Sequence, residues 1–184
     1  MLSVTVAPTA AVVSLPELKA HLRIDGDDEN DLLEGLISAA TAICQTKSGR
    51  QFVTATFVQR EDFTGLRNAV FGYANSPSVP GARVVLTATP VVEVVSCVDG
   101  DGNAVTYTLD ESGLQTVLVP TTCPDQLVIT YKAGYGTEPD TVPSCARLAV
   151  RVAASYLWTN RESGDRLPMA IDALLDPIRL VPVR

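Results

Sequence analysis

The sequence predicts an α+β protein: a small helical domain built from both ends of the chain (αα…αα), with an antiparallel β-rich subdomain inserted between them. Two patterns point to it. Apolar residues recur at helical spacing before residue 50 and again after residue 141. The stretch between is rich in Val, Thr and Tyr, in short runs broken by Gly, Pro, Asp and Asn. Length agrees, because 184 residues can bury roughly 70% of their unfolded surface and need no staples. The expected divisions are an N-terminal helical part (1–50), the β-rich insertion (51–140), and a C-terminal helical part with a tail (141–184).

The first helix starts at a capping box. Ser14 can accept an orphan N–H while Glu17 reaches back, and Pro16 falls in the first turn, where its missing N–H costs nothing. Leu15, Leu18 and Leu22 share a face, and the helix ends near Arg23. A second start follows in Asp25-Gly26-Asp27-Asp28-Glu29, whose carboxylates complement the positive end of a helix dipole. Leu32, Leu33, Leu36, Ile37, Ala40, Ile43 and Cys44 then form an apolar stripe, with Lys47 in the last turn and Gly49 just beyond it. Strands are expected over 52–60, 82–88, 91–98, 104–109, 114–119 and 126–131. Asp99-Gly100-Asp101-Gly102-Asn103 and Asp110-Glu111-Ser112-Gly113 supply turns, and 64–81 is a long loop. Helix returns with Thr141 or Ser144 as cap and Leu148, Val152, Ser155 and Tyr156 on one face, with Val150, Ala154 and Trp158 nearby. A last helix runs from about Pro168 through Leu174 and Leu175 until Pro177 ends it.

Charge excludes some functions. The formal net charge is −7, distributed as −3 over 1–50, −6 over 51–140 and +2 over 141–184. An acidic chain does not grip nucleic acid by neutralising phosphates. No apolar run is long enough to span a membrane, and no Lys or Arg precedes Lys19, so a secretory signal is not expected. The four cysteines, Cys44, Cys97, Cys123 and Cys145, have no metal-site spacing and read as reduced, mostly buried thiols of a cytosolically made protein.

Residue patterns offer little chemistry. Asp25, Asp27, Glu29 and Asp31 lack the Gly and Glu that a calcium loop needs at its sixth and twelfth positions, and Asp99, Asp101 and Asn103 read as a hairpin turn. His21 is the single histidine, and no nucleophile signature surrounds any Ser or Cys. Gly134-Tyr135-Gly136 lacks the remainder of a phosphate loop. No catalytic residue, metal site or cofactor is expected. A β-sandwich binding module for carbohydrate or protein, carried on a helical scaffold, is the alternative, though few aromatics sit in its strands to stack on sugars.

Three passages carry a resemblance. LPELKAHLRID (15–25), followed by Asp27-Asp28-Glu29 and Leu32-Leu33, resembles the opening of the tailed-phage head–tail connector (adaptor) family. Tyr131-Lys132-Ala133-Gly134-Tyr135-Gly136, then Val142-Pro143, Arg147, Ala149-Val150 and YLWTNRE (156–162), is similar to a later segment of that family. Pro168 with Leu174-Leu175-Asp176-Pro177-Ile178-Arg179 is similar to its ending. The resemblance implies a virion structural protein of the neck, at the head–tail interface. Its subunits would form a dodecameric ring under the portal protein, extend the DNA channel and meet a stopper, head-completion or tail protein. It implies no catalysis, no membrane and no specific grip on the DNA that passes. The C-terminal segment would dock on the portal, with Leu174, Leu175, Ile178, Leu180 and Val183 as its apolar part and Arg179 and Arg184 as its positive part. Asp27, Asp28 and Glu29 are candidates for an acidic channel or interface surface.

Overall fold

A computed structural model of the chain describes residues 1–64, 82–122, 124–160 and 168–180. The loop expected over 64–81 lies, from residue 65 on, outside the described residues, as do Cys123, Arg161, Glu162, Val183 and Arg184. The chain divides into two compact units, Met1–Ala7 with Ala55–Gly134, and Pro8–Thr54 with Tyr135–Arg184. The first holds strands and the second helices, so the α+β class holds.

In the β unit, a four-stranded antiparallel sheet runs in the order β1 (Leu2–Val6), β2 (Ala55–Asp62), β7 (Gln126–Ala133), β4 (Val91–Asp99). A second sheet of three strands has the order β3 (Val84–Val85), β6 (Val117–Pro120), β5 (Tyr107–Asp110). Period-two alternation places Ala55 and Phe57 of β2 and Leu127, Ile129, Tyr131 and Ala133 of β7 in one core. Phe57 stands opposite Tyr131 and their rings stack, centroids 5.9 Å apart. Leu86, Cys97, Val105 and Leu118 complete this core. The turn after β4 is fixed by Asp99, whose Oδ1 accepts the N–H of Asp101 (2.9 Å) and of Asn103 (2.8 Å).

The helical unit packs α1 (Leu15–Leu22), α2 (Asn30–Ser48), α3 (Ser144–Thr159) and α4 (Met169–Leu175) around Leu18, Leu33, Ile37, Ala40, Ile171 and Leu175. The capping box forms as expected: Ser14 N–H donates to Glu17 Oε2 (2.9 Å) and Glu17 N–H to Ser14 Oγ (3.4 Å). Gly49 closes α2 with φ 68°, a left-handed conformation that glycine adopts without strain. Segments 52–54 and 135–136 run side by side, Tyr135 N–H bonding Phe52 O and Thr54 N–H bonding Gly136 O, each at 2.8 Å.

Several expectations are corrected. The first residues, assigned to the helical part, form β1, because Leu2-Ser3-Val4-Thr5-Val6 is an alternating β-branched run that pairs with β2. The strand expected over 82–88 shrinks to two residues, since side chains of Gln59 and Tyr131 take over the hydrogen bonding of 85–88. Leu114 lies before β6 and is exposed. On α3 the buried face is Ala146, Ala149, Val150, Ala153 and Ala154: Val150 and Ala154 are buried, whereas Leu148 is exposed and Val152, Ser155 and Tyr156 are half-buried. Both sets have helical spacing, and the small residues allow closer helix approach. The helix cap is Pro143, not Thr141 or Ser144, and Pro168 stands at the cap of α4 rather than within its first turn.

Candidate functional site

The acidic turn between α1 and α2 is held by one lysine. Lys19 Nζ reaches Asp27 Oδ1 (2.8 Å) and Asn30 Oδ1 (2.7 Å), and Asn30 Nδ2 donates to Asp27 Oδ1 (3.1 Å). Lys19, and after it Asn30, holds the Asp27 carboxyl below the usual carboxylate range. Asp28 is exposed and Glu29 half-buried at the start of α2. Ile24, Asp25, Gly26, Asp28 and Glu29 line a shallow hollow of about 290 Å³. Asp27 is thus neutralised locally, while Asp25 and Asp28 add negative charge to this end of the unit.

The C-terminal candidates separate. Leu175 is fully buried and Leu174 and Ile178 pack against the helical core. Arg179 turns back on its own unit: Nη2 pairs with Asp172 Oδ1 (2.9 Å) and Nη1 with Asp176 Oδ1 (3.2 Å). Lys47 Nζ meets the same Asp172 carboxylate at 2.9 Å, so two cations hold it, Lys47 foremost, below the usual range. Arg50 Nε donates to Ile178 O (3.1 Å), and Leu180 N–H donates to Ser48 O (2.8 Å). The Leu180 side chain covers Gly49, its Cβ lying 3.2 Å from where a Gly49 side chain would begin. Residues 174–180 are therefore built into the helical unit. Val183 and Arg184 lie outside the described residues.

A second ion pair joins two of the passages that carried the family resemblance. Arg147 of α3 meets Glu17 of α1 at 2.9 Å and Asp140 at 2.6 Å. Glu17 is held below its usual range, first by its backbone hydrogen bond at Ser14 and, against a desolvation cost, by Arg147. Sequence reasoning found neither this pair nor the Lys47–Asp172–Arg179 cluster. Their members lie 130 and 125 residues apart, and nothing local links such positions.

The other chemistry-bearing residues do not converge. His21 is exposed on α1. Burial pushes the thiols of Cys44 and Cys97 up to about 11. Among the described residues no group of three or more His, Cys, Asp or Glu could hold a metal ion, and no helix is long and apolar enough to cross a membrane. A groove of about 420 Å³ beside α2, lined by Pro8, Ala10, Val12, Ile37 and Thr41 among others, brings together small and apolar groups around one carboxylate, Glu34.

Residues 12–76 match the family of phage gp6-like head-tail connector proteins. The match covers the first of the three passages that carry the resemblance. No curated protein matches the chain. Among solved structures, a chain from the neck of an empty GTA particle, computed with C6 symmetry, superposes with a TM-score of 0.77 at 19% identity, over 100% of this chain and 97% of that one. A chain from the virion of a native gene transfer agent particle gives a TM-score of 0.75 at 19% identity, over 100% and 97%. A chain from the neck of a native GTA particle, computed with C12 symmetry, gives 0.73, with the same identity and coverage. At this identity the likeness establishes the shared fold, helical unit and β unit together.

Proposed function

We propose that the chain is a structural head–tail connector subunit, without catalytic activity, in the neck of a tailed-phage-like particle. The observation that carries this reading is the pairing of a connector-family match at residues 12–76 with a fold shared along the whole chain with neck proteins. Copies form a ring, twelve-fold in the assembled neck, that sits under the portal protein, extends the DNA channel and offers a platform for a stopper or tail protein. The net charge of −7 suits a channel through which DNA slides without adhering. Asp25 and Asp28, with Asp27 and Glu29 beside them, are the carboxylates proposed to face that path or the neighbouring subunit. Portal docking falls to the tail that follows Leu180, with Val183 and Arg184, because Leu174, Leu175, Ile178 and Arg179 are engaged within their own unit.

The test is direct. Purified protein is mixed with the portal of the same particle and imaged by electron microscopy. The expected result is an added ring of density beneath the portal. A folded, functional portal that acquires no such density would overturn the proposal.

A further inference from the structure

Among the described residues, the four-stranded sheet of the β unit ends in two edges whose outer sides are unpaired over similar lengths, 2–6 of β1 and 91–96 of β4. β1 is one edge. All five of its residues are exposed, none is charged, and Leu2, Val4 and Val6 are 37%, 57% and 54% exposed. Met1 and Arg60 exchange both backbone hydrogen bonds, Met1 N to Arg60 O (2.6 Å) and Arg60 N to Met1 O (2.8 Å). Antiparallel alternation then makes Ser3–Val58 the next bonded pair and turns the N–H and C=O of Leu2 and Val4 away from β2. An uncharged apolar edge of this kind, regular from Leu2 to Val4 and shifted in register between Val4 and Val6, is a template for one strand over its regular part.

β4 is the opposite edge. Its last residues are covered by the returning chain, through Val105 N–H to Cys97 O (2.9 Å) and Asp99 N–H to Asn103 O (2.9 Å). Among the described residues no strand pairs with the outer side of residues 91–96. Val92 and Val95 there are 57% and 54% exposed. They fall at two register irregularities, which limit indiscriminate pairing and favour one shaped partner.

We propose that β1 of one copy pairs with the open stretch of β4 in a second copy, so that the sheets of neighbouring subunits join edge to edge. The occupant is another copy because one sheet carries both halves of the contact. Two different surfaces on opposite edges of the sheet make a head-to-tail interface, which builds a ring where the rotation between copies closes. Backbone pairing supplies affinity, and the Leu2/Val4 and Val92/Val95 side chains supply register. This contact rests on the ring reading above and names two surfaces that build the ring.

The experiment places a photo-crosslinking benzoylphenylalanine at position 4, in an equal mixture of isotopically light and heavy chains. It is run on concentrated protein and on assembled necks. The expected products are oligomers larger than dimers, whose crosslinked peptides join residue 4 of a light chain to residues 91–96 of a heavy one. Val4→Pro removes an N–H that faces away from β2, and is expected to weaken self-association at least tenfold while circular dichroism stays unchanged. Crosslinks confined to β1 with β1, crosslinks to another protein, a chain monomeric under all conditions, or normal association of Val4→Pro would each overturn the pairing. A ring seen in the neck without these crosslinks would overturn the pairing alone. The crosslinks in a protein missing from the neck would overturn the connector reading and leave the pairing standing.

Discussion

Tyr131→Phe tests a buried polar network of the β unit. Tyr131 is fully buried; its hydroxyl donates to Gln59 Oε1 (3.1 Å) and accepts from Ala88 N–H (3.0 Å). Gln59, itself buried, uses its whole amide: Oε1 also accepts from Thr87 N–H (3.1 Å), and Nε2 donates to Glu61 Oε1 (2.8 Å) and Val85 O (3.0 Å). Removing the hydroxyl leaves the ring and its stacking on Phe57 in place. It strips Ala88 N–H of its acceptor, a loss of about 1–2 kcal/mol, and takes one of two donors from Gln59 Oε1, about 0.5 kcal/mol more. The expected destabilisation is about 2 kcal/mol.

Urea unfolding followed by the β signal in far-ultraviolet circular dichroism measures it. With a slope of about 1–2 kcal/mol/M the midpoint falls by about 1–2 M, and the slope is unchanged. The single tryptophan, Trp158, lies on α3 and reports the helical unit in the same titration. Hydrogen exchange at the Ala88 amide gives a local reading and should accelerate. A midpoint within about 0.2 M of wild type, with Ala88 exchange unaltered, would refute the claim that this network carries the 85–88 segment.

Further outcomes follow from other contacts. Gly136→Ala would place a methyl within 3 Å of Thr141 Cβ (2.7 Å) and Cγ2 (2.8 Å) and should lower stability by about 1–3 kcal/mol, read as a drop in the thermal midpoint of the helical unit. Arg147→Met should cost about 1 kcal/mol, the upper range for a partly exposed ion pair; a double-mutant cycle with Glu17→Gln should show coupling, and strict additivity would count against the pair. Glu17 and Asp172 titrate below their unfolded values in the folded state. Their contribution is present above the unfolded carboxylate range and is lost as pH falls through the folded values; acid titrations of stability should therefore flatten for Glu17→Gln and Asp172→Asn. Cys44 and Cys97, pushed up to about 11, should resist iodoacetamide at pH 8 in the native state and react on unfolding, as mass spectrometry of labelled peptides would show.

What the sequence made legible is what is local. The Ser14–Glu17 capping box, the α2 stripe ending at Gly49 and the Asp99 turn all formed, because each is decided within a few residues. β1 escaped notice because a five-residue edge strand becomes a strand only when β2, more than 50 residues later, pairs with it. The full buried face of α3 was not legible because large side chains such as Leu148 and Tyr156 carry the apolar signal, whereas the helix presents mostly alanines to its neighbours. The candidate site divides in the same way. The apolar character of Leu174, Leu175 and Ile178 was visible, but their engagement in the helical unit, and that of Arg179 with Asp172, depends on packing of α4 that no window of sequence contains.

Several residues that carried the family resemblance hold the subunit together. Glu17 caps α1 and binds Arg147; Lys19 ties Asp27 to Asn30; Tyr131 anchors the β core; Tyr135 bonds the backbone of Phe52. A signature made of such positions speaks first to fold, and a fold shared along the whole chain at 19% identity is what it should accompany. Assembly surfaces have other requirements. The surfaces proposed above for assembly, the β1 edge, residues 91–96 of β4 and the tail beyond Leu180, lie outside the matched residues 12–76. Changing Val4 or Val95 should therefore alter assembly and leave the melting curve alone, while changing Glu17 or Arg147 should lower the melting curve first and alter assembly only through it.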